Sequence, residues 1–241
     1  ADDPLAGLTL GEAPEPEVPE GWAVVQLRAA ALNHHDLWSL KGVGLRSEQL
    51  PMILGCDGSG IDADGNEVII HAVIADPDAG DGDETLDPRR SLLSERFPGT
   101  FAQRIAVPRR NLIAKPASLS FEEAACLPTS WLTAYRMLFT RASLRPGDTV
   151  LIQGAGGGVA TAAIVLARAA GLRVWVTSRS EEKRSRALEL GAHGAYAPEE
   201  RLPERVDAVM ETVGRATWSQ SVRAVRPGGT IVVSGATTGD D

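Results

Sequence analysis

Between positions 154 and 158 the chain reads Gly-Ala-Gly-Gly-Gly, set between an apolar run at 150–152 and an alanine-rich stretch at 159–170. A second apolar run occupies 173–177. Strand, tight turn, helix and strand is the order in which a chain lays a dinucleotide pyrophosphate on a helix N-terminus. Glycine contributes because no Cβ stands between its N–H and a phosphate oxygen. The candidate contacts are Gly154, Ala155, Gly156, Gly157, Gly158 and Val159. The pattern departs from G-x-G-x-x-G, since over 155–160 the first and last positions are Ala155 and Ala160 and Gly157 keeps the centre. The last position tolerates alanine, and Gly154 is placed to take a positive φ in place of Ala155. Such turns also serve packing alone, so the residues around this one have to decide.

An NAD site wants an Asp or Glu about 20 residues past the glycines, to accept from the ribose 2′-hydroxyl. Here the second run ends in Ser178, Arg179 and Ser180, with Lys183 one turn on. Glu181 and Glu182 come later and read as first-turn helix residues favoured by the dipole. A hydroxyl, a guanidinium and an ammonium suit a 2′-phosphate. The plainer alternative is that Arg179 and Lys183 are solvated surface charges. Their coincidence with the missing acid makes NADP(H) the expected cofactor.

The elements that carry these residues change character near residue 120. Before it, apolar runs near 22–28, 68–74, 101–107 and 111–114 are short and broken by proline and glycine, which reads as an antiparallel β-barrel or sandwich. Between 76 and 87 six acids (Asp76, Asp78, Asp81, Asp83, Glu84 and Asp87) stand without a basic residue and read as a flexible, solvated loop. After residue 120, helices are expected near 121–128, 131–140, 159–170, 181–190 and 217–225. Strands are expected near 149–153, 173–177, 194–196, 206–210 and 230–234. That alternation gives an α/β, doubly wound parallel sheet. The expected domains are 1–118 and 119–241.

Composition bounds the partners. The chain has 241 residues and a net charge of −8, which speaks against nucleic acid or an anionic membrane surface. The two cysteines, Cys56 and Cys126, belong to no CxxC pair, which suits a reducing compartment and excludes a four-cysteine zinc site. No apolar run reaches the roughly 18 residues of a membrane span, and no charged-then-apolar leader is present. A soluble, cytoplasmic protein is expected.

Six stretches, 29–38, 54–60, 99–108, 119–135, the glycine turn and 207–218, together resemble the medium-chain dehydrogenase/reductase superfamily and its zinc-independent, quinone oxidoreductase-like branch. The resemblance runs over nearly the whole chain. It implies a GroES-like barrel domain with catalytic residues, followed by a Rossmann domain for the nucleotide, and an active site in the cleft between. It also implies a chain truncated at both ends, without the opening strand and the segment past the fifth strand of the nucleotide sheet.

Zinc-dependent relatives hold a catalytic metal through cysteine and histidine. By resemblance those ligands fall on Asn33, Cys56, the acid Asp57 and Thr129, of which Asn33 and Thr129 are poor zinc donors. His34, His35 and Cys56 remain open as a rearranged site, and the plainer fate of Cys56 is a small buried apolar side chain. His71 reads as a strand residue and His193 as a surface residue. No metal is expected.

Other roles follow from the same likeness. Asn33 resembles the residue contacting cofactor and substrate near the nicotinamide, and Asp36 the acid behind it, or else the N-cap of a helix at 37–40. Trp38 resembles an aromatic wall for a flat acceptor, or else it is core. His35 is the nearby side chain able to give a proton at neutral pH. Thr133 resembles a residue that hydrogen-bonds the nicotinamide end. Thr212 and Val213, after the fourth nucleotide-domain strand, and Gly235 and Ala236, after the fifth, lie where α/β sheets bind ligands.

The favoured reading is metal-free, NADPH-dependent hydride transfer to a quinone or an α,β-unsaturated carbonyl. A zinc alcohol dehydrogenase with altered ligands and a non-catalytic NADPH-binding protein stay open beside it. The expected partners are a small carbonyl or quinone substrate and, by analogy, a second copy in a homodimer.

Overall fold

Residues 3–239 are described by the computed structural model, and the chain divides into two units, Ala1–Thr129 and Ser130–Asp241.

In the first unit the order is β1 (Trp22–Ala31), α1 (His34–Leu40), β2 (Asp57–Asp62), β3 (Glu67–Ile70), β4 (Val73–Ile74), β5 (Ser91–Leu92), β6 (Arg104–Pro108), β7 (Leu112–Ala114) and α2 (Phe121–Ala125). Five strands pair in the order β6-β1-β2-β3-β7, every neighbour antiparallel. Val25, Val68, Ile70, Ile105 and Val107 put alternate side chains into one core with Cys56 and Leu93.

Sequence pattern does not announce β2, whose Asp-Gly-Ser-Gly-Ile-Asp is poor in strand formers. Its glycines are there for room: a Cβ on Gly60 would meet Gln26 O at 2.2 Å, and one on Gly58 would meet Leu27 Cδ2 at 2.8 Å. β1 has to lie that close, and only glycine lets it.

Several expected bounds shift. The run at 68–74 splits around His71, which leaves it outside any strand. The break is bridged by Asn111 Nδ2, which donates to His71 O at 2.8 Å and Val73 O at 2.7 Å. The run at 101–107 pairs as a strand only from Arg104, because Thr100 and Phe101 instead donate their N–H groups to Gly55 O and Leu54 O. The acidic stretch is tied down: Asp87 is buried and accepts from the N–H of Asp76 and Arg89, both at 2.8 Å. Residues 119–129 fall with the first unit rather than beyond the expected 118/119 boundary. There α2 packs against β1, β2 and β3, and Ser59 Oγ donates to Phe121 O at 2.6 Å.

The second unit follows the expected alternation: α3 (Leu132–Tyr135), β8 (Thr149–Gln153), α4 (Gly158–Ala169), β9 (Arg173–Thr177), α5 (Glu181–Glu189), β10 (Gly194–Tyr196), β11 (Val206–Glu211), α6 (Arg215–Ala224) and β12 (Val225–Val233). The helix expected at 131–140 is α-helical only over α3 and widens into a π-helical turn at Arg136–Arg141. The strands are parallel in the order β10-β9-β8-β11-β12. Both faces are buried, Val150, Ile152, Val174, Val176 and Met210 on one, Leu151, Trp175, Val209 and Ile231 on the other. Such two-sided burial explains the near-continuous apolar strands. Among the described residues no helix is long and apolar enough to cross a membrane.

Candidate active-site cluster and nucleotide turn

Asn33 lies two residues past the end of β1 and is the cap residue of α1, with an extended backbone (φ −127°, ψ 159°). Its N–H donates to Asp36 Oδ2 at 2.7 Å. The cap expected at Asp36 is therefore Asn33, and Asp36 is the third helical residue reaching back to it. The helix starts earlier because the Asp36 carboxylate accepts the Asn33 N–H and closes its end.

The Asn33 amide turns inward. Nδ2 donates to Asp57 Oδ2 at 3.0 Å and lies 3.5 Å from Cys56 Sγ. Thr129 closes the other side: Oγ1 donates to Asp57 Oδ1 at 2.6 Å, and its N–H is shared between Oδ1 at 3.1 Å and Oδ2 at 3.2 Å. Thr129 Oγ1 also stands 3.5 Å from Cys56 Sγ. Asn33, Cys56, Asp57 and Thr129, widely spread in sequence, meet at one point.

Burial sets the electrostatics there. Desolvation raises the Asp57 carboxyl above the usual range, against the opposing hydrogen bonds of Thr129 and Asn33. Desolvation likewise raises Asp36, opposed first by the Asn33 N–H, and Asp36 Oδ1 is buried with no hydrogen-bond partner. Burial, then the neighbouring Asp57 charge, pushes the Cys56 thiol up to about 12. Such a thiol keeps its proton at neutral pH.

His35 is half-buried, with Nε2 at 3.2 Å from Ser94 Oγ, 3.5 Å from Ser39 Oγ and 3.9 Å from Glu95 Oε1. Trp38 is exposed, with Lys41 Nζ 5.1 Å above its ring, so the core reading of Trp38 is corrected. His34 is exposed. Among the described residues no three or more His, Cys, Asp or Glu are grouped to hold a metal ion, so His34, His35 and Cys56 are not gathered into such a set. His71 Nε2 stands 3.2 Å from Glu84 Oε1, and exposed His193 accepts the Val174 N–H at Nδ1.

In the second unit the glycine turn joins β8 to α4. Gly154 and Gly156 hold φ of +79° and +92°, so Gly154, and not Ala155, takes the left-handed turn. A Cβ on Gly154 would meet Val213 Cγ2 at 2.8 Å, and one on Gly158 would meet Ser130 Oγ at 2.5 Å. Gly157, the cap of α4, differs: nothing lies within 4 Å of a Cβ built there, and no side chain caps the helix. Space is thus open beside Gly157 at the N-terminus of α4, which fits a phosphate.

The Lys183 stem passes 2.9 Å from a Cβ built on Gly156, so this lysine reaches the turn. Arg179 and Lys183 are exposed, and neither has an ionic partner among the described residues. Ser178 Oγ accepts the Ser180 N–H at 3.2 Å. Thr133 is half-buried on α3. Segments after β11 and β12 are laced together at the carboxyl end of the sheet: Thr238 N donates to Val213 O at 2.9 Å, and a Cβ on Gly235 would lie 3.2 Å from Thr212 O. Ala236 Cα lies 2.9 Å from a Cβ built on Gly214.

Sequence reasoning missed what supports these loops. Glu211 is fully buried, and its Oε1 accepts from Val213 N at 2.9 Å, Gly214 N at 3.0 Å and Thr217 Oγ1 at 2.8 Å. Ser221 Oγ donates to Glu211 Oε2 at 2.6 Å and accepts from buried Gln153 Nε2 at 3.0 Å. Thr177 Oγ1 donates to Gln153 Oε1. The available signal was a polar residue ending each of the apolar strands β8, β9 and β11.

Residues 19–117 match the family profile of the alcohol dehydrogenase GroES-like domain, and residues 158–241 that of zinc-binding dehydrogenase. The chain is 31% identical over 277 aligned positions to a crotonyl-CoA carboxylase/reductase of Cereibacter sphaeroides, covering 93% of this chain and 64% of that protein. It thus spans less than two thirds of that relative's length. A solved NAD-dependent alcohol dehydrogenase is similar at 37% identity and a TM-score of 0.89, over 95% of this chain and 74% of that one. The quinone oxidoreductase of Thermus thermophilus, solved also with NADPH, is similar at 34% identity and a TM-score of 0.76, over 95% and 70%.

Proposed function

The chain belongs to the medium-chain dehydrogenase/reductase superfamily, and from that premise we propose that it is an NADPH-dependent reductase of conjugated carbonyl acceptors, quinones or α,β-unsaturated carbonyls. The observation that carries this is the closed cluster of Asn33, Cys56, Asp57 and Thr129. Its donor set does not fit zinc. An amide N–H turned inward is a donor, a thiol held protonated is no thiolate, and the Thr129 hydroxyl is engaged in a hydrogen bond to Asp57. Chemistry that concentrates charge on one alkoxide oxygen calls for a metal or an equally strong donor. A conjugated acceptor spreads the incoming charge, so hydrogen bonds suffice.

The second unit fits NADPH. The N–H groups of Gly156, Gly157, Gly158 and Val159 would hold the pyrophosphate, beside Gly154 and Ala155. Ser178, Arg179 and Lys183 would pair with the 2′-phosphate, and Thr133, Thr212, Val213, Gly235 and Ala236 would line the nicotinamide end. When bound, the reduced cofactor supplies the hydride. Asn33 positions the acceptor, with Asp36 fixing its backbone, and Trp38 offers a flat exposed ring. His35 gives the proton from Nδ1, its Nε2 being engaged by Ser94. The relatives named for crotonyl-CoA and quinone reduction support this choice of acceptor. A cytoplasmic homodimer completes the proposal.

The whole protein should oxidise NADPH with a quinone or conjugated enone and be nearly inert with saturated ketones. NADPH should bind at least about tenfold tighter than NADH, since charge-assisted bonds contribute about 1.5–3 kcal/mol each before solvent screening. Arg179→Ala should remove much of that preference. Robust, metal-free reduction of a saturated ketone would refute the reading. The similarity to an NAD-dependent alcohol dehydrogenase and to the zinc-binding profile favours a second reading, zinc-dependent alcohol oxidation. Stoichiometric zinc in protein never exposed to chelators would select it.

A further inference from the structure

Glu211 closes β11 fully buried, and among the described residues no ion pair holds it. A buried carboxyl is costly unless hydrogen bonds replace its water, and four donors do so here. Val213 N, in the loop after β11, and Gly214 N, at the cap of α6, share Oε1 with Thr217 Oγ1. Ser221 Oγ takes Oε2. A carboxylate accepts and never donates. Ser221 therefore spends its proton on Oε2 and accepts from Gln153 Nε2 at 3.0 Å. That turns Gln153 Oε1 towards Thr177, whose hydroxyl donates to it. Every proton on this path points towards Glu211.

The path ends at the glycine turn. Thr177 O accepts the N–H groups of Gly154 at 3.1 Å and Ala155 at 3.2 Å. Thr212 Oγ1 adds a second link by donating to Gln153 O at 3.0 Å. The two loops also touch directly, since a Cβ on Gly154 would meet Val213 Cγ2 at 2.8 Å. Ser178 is held separately: its N–H donates to Tyr196 O at 3.0 Å, and its carbonyl accepts from Arg184 Nη1 at 2.7 Å.

We propose that Glu211 is a positioning residue for the dinucleotide. It fixes the loop at 212–214 directly and the glycine turn through Ser221, Gln153 and Thr177, so that both form one preformed surface. The role rests on the NADPH reading. A surface already in its bound shape loses less conformational freedom when the cofactor docks. A buried polar network gives that rigidity only while every member is satisfied. Glu211→Gln keeps the volume and breaks the path. The new amide NH2 faces Ser221 Oγ, which then accepts from two sides and finds no acceptor on the path for its own proton.

The test compares the whole unmutated protein with Glu211→Gln, Ser221→Ala and the double variant, at a temperature where circular dichroism shows each one folded. In fluorescence titrations Glu211→Gln should weaken NADPH binding at least about tenfold, and Ser221→Ala at least about threefold. The double variant should lose little more than Glu211→Gln alone, because both residues act on one path. Adenosine 2′-monophosphate, whose phosphate would meet Ser178, Arg179 and Lys183, should bind all four proteins within about twofold. A merely structural role lowers the melting temperature and leaves the NADPH affinity of the folded protein unmoved, and that result overturns the proposal. Additive losses, or an equal loss for adenosine 2′-monophosphate, overturn it too. If Glu211→Gln does not fold, Ser221→Ala decides by the same comparison of the two ligands. Failure of the unmutated protein to bind NADPH defeats the cofactor reading, and the positioning role falls with it.

Discussion

At the scale of single residues, the Asn33 cluster is a half-buried polar site closed on itself beside the core of the first unit. Asp57 accepts from Asn33 Nδ2, Thr129 Oγ1 and the Thr129 N–H, so its buried oxygens are satisfied. The neighbouring thiol carries the cost: Cys56 sits fully buried beside that carboxylate, lifted from 9.0 to about 12. Because the folded state holds this proton more tightly than the unfolded one, the contribution is fully present below pH 9.0 and is lost as pH rises towards about 12. Urea midpoints measured upward from pH 8 should therefore fall more steeply in the unmutated protein than in Cys56→Ala. Parallel curves would mean the thiol is not so placed. Alkylation near pH 8 should mark exposed Cys126 quickly and Cys56 only on unfolding. From sequence, Asn33, Cys56, Asp57 and Thr129 could be named only through the family's pattern. Their meeting depends on contacts spanning 72 and 73 positions, which no local spacing encodes.

At the scale of elements, the glycine turn separates two duties that sequence alone runs together. Gly154 serves the fold, with φ at +79° and Val213 Cγ2 at 2.8 Å from any Cβ. Gly157 has an ordinary φ of −84° and open space, so its bareness serves whatever docks on α4. Gly154→Ala is expected to cost stability by about 1–3 kcal/mol, by strain and overpacking. Gly157→Ala should leave the melting temperature nearly unchanged yet weaken NADPH binding at least about tenfold, the methyl standing where phosphate approaches. Equal NADPH affinity in Gly157→Ala, measured by fluorescence titration, would remove the turn from the cofactor site. The second unit was legible because its central strands β8, β9 and β11 are buried on both faces and α4 has an alanine-rich apolar side. The antiparallel unit was less so. β2 is recruited by β1, against its own propensities, and Glu211 with Gln153 hides at strand ends where a polar residue looks like the start of a loop.

At the scale of the whole molecule, exposed apolar side chains gather on the second unit. In the described sheet β12 pairs with β11. Val233 on that strand is exposed, and so are Trp218 and Val222, four positions apart on α6, the helix packed against β11 and β12. Residues at that spacing share one helix face. Apolar side chains exposed together invite association, and closed two-fold pairing satisfies it without forming fibres. The whole protein is therefore expected to sediment as a homodimer at micromolar concentration. Trp218→Lys combined with Val222→Glu should shift it towards monomer while far-ultraviolet circular dichroism stays unchanged, because both side chains are exposed rather than core. A monomer in the unmutated protein would sink the dimer. A dimer indifferent to the double variant would place the interface on another face.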